Sequence, residues 1–293
     1  MLSRNFPLKL CIFSQSVRHT LNCLHRRRIM RRHHRVTIWV ILLVFLVGCA
    51  PKFSEVPLGA FDTQALITPE VQKERDEIYM LAAYAVVYND WQDGSGVKRG
   101  HNIGSVLVDP NGRIVNWARN CNARLGNGTQ HGEVRLMMGY LNRVGGYSLK
   151  DHTVYTTLEP CAQCSGMMVL TNIKRTVYGQ TDPGFGKAIE RLKLNSKQWN
   201  PAGYKPYPRA VISDRSESKY CSQLEKTYEQ EGGSITQFLL TDKAKAIFKA
   251  ASDNLFNYQL KHPKQNGPIL KHVQASMSKV KPGIPIIVLK PKR

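Results

Sequence analysis

The chain has 293 residues, 42% of them apolar, and its 42 Lys and Arg against 21 Asp and Glu give a formal net charge of +21. That length suits one or two domains, and the apolar content excludes an intrinsically disordered chain. The positive excess bears on partners and solubility, not on fold.

Much of the excess lies at the two ends. Residues 1–48 carry nine Lys or Arg and no acid, and Val36–Ala50 (VTIWVILLVFLVGCA) is uncharged. That run is too short to span a bilayer comfortably, where about 20 residues are needed, and has the size of the apolar core of a secretory signal. With MRRHHR before it and Leu46-Val47-Gly48-Cys49 closing it, the segment resembles a bacterial lipoprotein signal, in which the cysteine is lipidated and becomes the first mature residue. The expectation is a start at Met30, with residues 1–29 an over-extended gene start or a long basic leader. The chain would then be exported and anchored to a bacterial membrane through Cys49, and Ala50 points to the periplasmic side of an outer membrane. Setting residues 1–48 apart leaves 33 basic against 21 acidic residues, a net +12.

Residues 49–67 read as a tether. Thr68-Pro69-Glu70 is a helix start, with Thr as N-cap and Pro at the first helical position, and the helix runs to about Asn89. A polar loop, Asp90–Asn102, leads to IGSVLV, the turn Asp109-Pro110-Asn111-Gly112 and RIVNWA, a β-hairpin. Residues 131–144 space Val134, Met137, Tyr140, Leu141 and Val144 as one helical face, closed by Gly145-Gly146. Strand patterns follow at Thr153–Thr157, Arg175–Gly179 and Arg209–Ser213, with a helix between the first two and an insertion loop over Lys187–Pro208. Strands alternating with helices imply a three-layer α-β-α sandwich. A helix from Ser216 places Tyr220, Leu224 and Tyr228 on one face and ends at Gly232-Gly233. A second helical region runs from Ile235 to about Leu260 with Phe238, Ala244, Ile247, Phe248, Ala251 and Leu255. Residues 261–293, with seven Lys, one Arg and no acid, read as a basic tail that is either solvated or contacts nucleic acid, anionic lipid or an acidic partner. The expected organisation is a core domain over residues 68–233 and a helical extension with its tail over 234–293.

Chemistry concentrates in two motifs. TLEPCAQC places Cys161 and Cys164 three apart behind Pro160, a pattern open to a redox pair, half a structural zinc site or part of a catalytic metal centre. Gln130-His131-Gly132-Glu133 lies thirty residues upstream. One histidine and two thiolates satisfy the three-ligand count of a catalytic zinc that keeps a position for water. His131 opens one predicted helix and Cys161 with Cys164 the next, where the helix N-terminus favours the thiolate form. Glu133, two residues past His131, is placed to move protons without ligating. H-x-E with P-C-x-x-C is the signature of zinc deaminases of nucleobases.

On these motifs the chain resembles the cytidine/deoxycytidylate deaminase superfamily over residues 76–182, nearest to bacterial tRNA adenosine deaminases and to cytosine and guanine deaminases. TLEPCAQCSGMMV is similar to the cysteine segment of the tRNA enzymes, whereas HGE and KDHTVYTTL are similar to fungal-type cytosine deaminase. The resemblance implies the cytidine deaminase form of the α/β sandwich and one Zn2+ on His131, Cys161 and Cys164, with Glu133 as catalytic acid and base. Asn120, eleven residues before His131, would hold the base; Pro160 and the backbone of Glu159 would lie beside its exocyclic amine, with Asp182 following the fourth strand. It also implies a homodimer. Gln163, Met167-Met168 and the Lys187–Pro208 insertion depart from the family pattern and leave the substrate open.

Three functions follow from these features. The first is an exported deaminase acting on a free base, nucleoside or nucleotide. The second is a nucleic-acid deaminase on a single strand, tRNA-like or toxin-type, using the basic tail. The third is a noncatalytic, zinc-stabilised surface lipoprotein. A tRNA substrate implies the cytoplasm and conflicts with the export signal. Cys121 and Cys221 read as ordinary buried thiols that export would allow to pair.

Overall fold

The computed structural model describes residues 67–93 and 99–283. The signal, Cys49, the tether up to residue 66 and the last ten residues of the basic tail lie outside the described residues.

Helix α1 (Pro69–Tyr88) begins where the cap pattern places it, with Thr68 Oγ1 accepting from Val71 N at 3.4 Å and Pro69 in the first turn. Every residue from Ile78 to Val87 is buried, which explains why the stretch is apolar on all sides. Strands β1 (Gly104–Val108) and β2 (Ile114–Arg119) pair as the expected hairpin. Its turn is held by Asp109 Oδ1, which accepts from Asn111 N (2.9 Å) and Arg113 N (2.8 Å), and Gly112 supplies the required φ of +76°.

With β3 (Thr153–Leu158), β4 (Arg175–Gln180) and β5 (Ile212–Arg215) these form one five-stranded sheet in the order β2-β1-β3-β4-β5. β1 is antiparallel to β2 and β3, whereas β3, β4 and β5 run parallel. Alternation along the strands sends Val106, Tyr155 and Val177 into one core and Leu107 and Val154 into another. The first core is closed by α1, α6 (Lys219–Glu231), α7 (Ile235–Phe238), α8 (Asp242–Phe256) and α9 (Pro263–Met277). The second is closed by α3 (Gly132–Val144), α4 (Ala162–Leu170) and α5 (Ala188–Leu192); a short helix, α2 (Asn122–Leu125), precedes α3. The result is the expected α-β-α sandwich.

Five local expectations are corrected. In α3 the whole stretch Gly132–Met137 is buried while Val144 is 54% exposed, because the first turns lie under the sheet and the last emerges into solvent. β5 starts at Ile212, three residues past Arg209, since the chain before it is engaged elsewhere: Tyr207 N donates to Leu192 O at 3.1 Å and the Arg209 guanidinium to Leu170 O. The Lys187–Pro208 loop contains α5 and a 3₁₀ turn (Ser196–Gln198), with Ala188 and Ile189 buried. The helical region after Ile235 is broken, because Thr241 caps a new helix by accepting from Ala244 N at 3.2 Å. The tail is no solvated arm over its described part: α9 buries Ile269, Leu270, Val273 and Met277, and Glu74 accepts from Lys261 N, His262 N (3.0 Å) and Asn266 Nδ2 (2.8 Å). Cys121 and Cys221 are buried free thiols. Among the described residues no helix is long and apolar enough to cross a membrane.

Candidate active site

His131 and Cys161 are the N-cap residues of α3 and α4, both with extended backbone (φ −72°, ψ 152° and φ −69°, ψ 176°), and Cys164 sits one turn into α4. His131 Nδ1 lies 3.5 Å from Cys161 Sγ and 3.6 Å from Cys164 Sγ, and the sulfurs are 3.6 Å apart. The three ligand atoms all fall within 4.8 Å of one another. One imidazole and two thiols converging at this separation fit a tetrahedral zinc ion, whose bonds of about 2.0–2.3 Å bring ligand atoms to such distances. The Cys161 thiol is pulled down to about 4, first by its contact with Cys164 and, against its burial, by His131. Cys164 is pushed up by the same contact and by burial. His131 is raised, chiefly by Cys161. The cluster thus favours a thiolate, the form that binds metal.

Glu133, in the first turn of α3, is buried beside this cluster. Its Oε2 lies 3.5 Å from Cys164 Sγ, and its Oε1 accepts from Thr156 Oγ1 at 2.8 Å. Burial raises the carboxyl above its ordinary range, opposed by its own backbone N–H and by Thr156. A buried carboxyl with raised proton affinity beside the cluster is placed to take up a proton and give it back.

Asn120 is buried at the end of β2, and its Oδ1 accepts from Gly132 N at 2.6 Å. Its side-chain oxygen is therefore committed to starting α3, and its NH2 group is what remains to offer a ligand. A Cβ at position 132 would stand 3.2 Å from Ser105 Oγ and 3.4 Å from Asn120 Oδ1, so glycine keeps this junction close. Glu159 and Asp182 line the cavity, yet both carboxylates are engaged by backbone. Glu159 accepts from Asp182 N (3.1 Å) and Lys187 N (2.8 Å), and Asp182 Oδ1 from Gly184 N and Phe185 N, both at 2.9 Å. They shape the loop more than they address a ligand. Pro160 stands off the cavity wall, its carbonyl accepting from Ser165 Oγ at 3.2 Å.

The cavity is about 760 Å³ and is lined by His131, Glu133, Cys161 and Asn120 together with residues that sequence reasoning did not find. His101 and Phe185 are two of them, and Tyr228 with Gly233–Thr236, from the end of α6 and the start of α7, form a further wall. The strand pattern TVYTTL carried a signal for Thr156. Nothing local marked Tyr228 or Ser234, which reach the site from about a hundred residues away in sequence.

A family model for the cytidine and deoxycytidylate deaminase zinc-binding region matches residues 73–180. The chain is similar to a tRNA-specific adenosine deaminase of Haemophilus influenzae, 27% identical over 151 residues that cover 52% of this chain and 81% of that one. A tRNA-specific adenosine deaminase of Bacillus subtilis is 32% identical over 112 residues, 38% of this chain and 66% of the relative. A cytosine deaminase of Candida albicans is 32% identical over 103 residues, 33% of this chain and 68% of the relative.

Proposed function

Because the chain belongs to the cytidine and deoxycytidylate deaminase family, we propose that it is a zinc-dependent hydrolytic deaminase that removes an exocyclic amine from a nucleobase, free or carried by a nucleoside, nucleotide or nucleic acid. The observation that carries this reading is the convergence of His131, Cys161 and Cys164 with the Glu133 carboxyl 3.5 Å from Cys164 Sγ.

His131, Cys161 and Cys164 would hold the ion. Zinc, when bound there, supplies the Lewis acid that makes water a nucleophile at neutral pH. Glu133 takes the proton that the attacking water gives up and hands it to the departing amine, which leaves as ammonia. Thr156 fixes Oε1 of Glu133 so that Oε2 faces the cluster. Asn120, through its NH2 group, holds an acceptor on the ring, and Phe185 with Tyr228 supplies aromatic walls against the base.

The relatives named for tRNA support a base within a nucleic acid, and the one named for cytosine supports a free base. A lipid anchor at Cys49, export to a bacterial membrane and a homodimer belong to the same proposal, supported by the signal-like N-terminus and by the family. A panel of bases, nucleosides, nucleotides, tRNA and single-stranded DNA, assayed for ammonia, tests it. Wild type should release ammonia from at least one class, and Glu133→Ala should release none while keeping about one zinc per chain. Full activity in that variant would refute the role of Glu133, and an inert wild type holding zinc would leave a noncatalytic protein.

A further inference from the structure

The segment after the Asp182–Gly186 loop is unusual in what it exposes. Trp199 is 65% exposed, Tyr204 60% and Tyr207 56%, within nine residues of one another. Of the thirteen large apolar side chains exposed among the described residues, six (Leu170, Phe185, Leu194 and these three) lie in this segment or beside it. Six cations are interleaved with them between Lys187 and Arg209, against the single acid Glu190. All six are exposed, and among the described residues none has an ion-pair partner.

The segment is also framed by its own hydrogen bonds. Ser196 is buried and its Oγ accepts from Tyr204 N at 2.8 Å, while Gly203 N donates to Asn200 O at 2.8 Å and Tyr207 N to Leu192 O at 3.1 Å. The loop is thereby closed on α5, so the aromatics are carried on a frame. At its near end it joins the cavity, because Phe185 lines the mouth and Lys187 N is bound to Glu159 at 2.8 Å.

Exposed aromatic rings interleaved with cations that no carboxylate neutralises are the elements that bind single-stranded nucleic acid: rings stack on bases and cations track phosphates. We propose that residues 187–209 form a platform for single-stranded nucleic acid, holding the nucleotides that flank a base entering the adjoining cavity. This deepens the deaminase reading and rests on it. Continuity with the cavity mouth favours a polynucleotide over a lipid surface, which would cover the mouth.

The test is fluorescence anisotropy of a labelled mixed-sequence 12-nucleotide strand, RNA and DNA in turn, titrated with the full-length Glu133→Gln protein so that the probe is not turned over. The expected result is binding that weakens steeply between about 50 and 200 mM salt. Trp199→Ala or Tyr204→Ala should weaken it roughly 5- to 150-fold, the span of one lost stacked base. Lys197→Glu with Lys205→Glu, on exposed positions, should do so comparably, with melting temperature and bound zinc unchanged as controls on folding. Absence of binding, binding indifferent to all of these substitutions, or binding to phosphatidylglycerol vesicles in place of either strand would overturn the proposal. Ammonia release by wild type across bases, nucleosides, nucleotides, tRNA and single-stranded DNA, measured in parallel, reports separately on the deaminase reading.

Discussion

Thr156 Oγ1 donates to Glu133 Oε1 at 2.8 Å, inside a site where both residues are buried. β3 delivers the hydroxyl and α3 the carboxyl, so the proton carrier is aligned by an element other than its own. Hydrogen bonds to charged groups contribute about 1.5–3 kcal/mol, and their loss at an ionised transition-state partner corresponds to roughly 10- to 100-fold in rate. Thr156→Val should lower kcat by that order with KM little changed and zinc retained, whereas Thr156→Ser should restore most of it. Steady-state kinetics beside metal analysis check both.

Gly186 shows how tightly the loop beside the cavity is drawn. A Cβ there would stand 2.2 Å from Glu159 Oε2 and 2.5 Å from Asp182 O, distances no real side chain occupies. Gly186→Ala must push Glu159 off the N–H groups of Asp182 and Lys187. The expected outcome is a loss of about 1–3 kcal/mol in stability, the usual scale of overpacking. Substrate binding should weaken with it, read as a raised KM and a lowered urea midpoint.

His272 gives a pH dependence away from the metal cluster. Burial pushes its imidazole below the ordinary value of about 6.5, and its Nε2 accepts from Ile114 N at 3.1 Å, which requires that nitrogen unprotonated. The unfolded chain binds this proton more readily than the folded one. The contribution to stability is therefore full above about pH 6.5 and is lost as the pH falls from there toward the folded pKa. One such group adds at most about 1.4 kcal/mol per pH unit. His272→Gln, which keeps an acceptor, should flatten the slope of urea stability against pH in that window; an unchanged slope would remove His272 from the account.

Glu74 ties α9 to α1 by accepting from two backbone N–H groups and Asn266. Deleting residues 261–293 would strand this buried carboxylate and uncover the apolar side chains that Ile269, Leu270 and Val273 cover. Truncation should give an aggregating or unfolded chain, seen in circular dichroism and sedimentation, where a solvated tail would be dispensable.

The site was legible where its chemistry is local. The spacing of His131, Glu133, Cys161 and Cys164 fixes a helix start and a helix turn, and those two junctions alone bring the ligand atoms together. Asn120 came from the family resemblance, which sets an asparagine eleven residues before His131, but its oxygen goes to Gly132 N, a bond no spacing announces. Tyr228 and Ser234 could not be placed at the site because they reach it only through the tertiary packing of α6 and the turn into α7. The insertion and the tail were misread for one reason: proline, asparagine and lysine content describes turns and solvent-facing positions, while Ile189 and Val273 bury themselves at single helical positions inside such stretches. Their burial follows from what packs opposite them.

The zinc X-ray absorption edge of the purified protein tests the central claim most directly. The account predicts one zinc per chain with two sulfur neighbours at about 2.3 Å, one imidazole nitrogen at about 2.0 Å and one further light atom. A protein purified without zinc, or a spectrum showing four sulfur ligands and no imidazole, would contradict it.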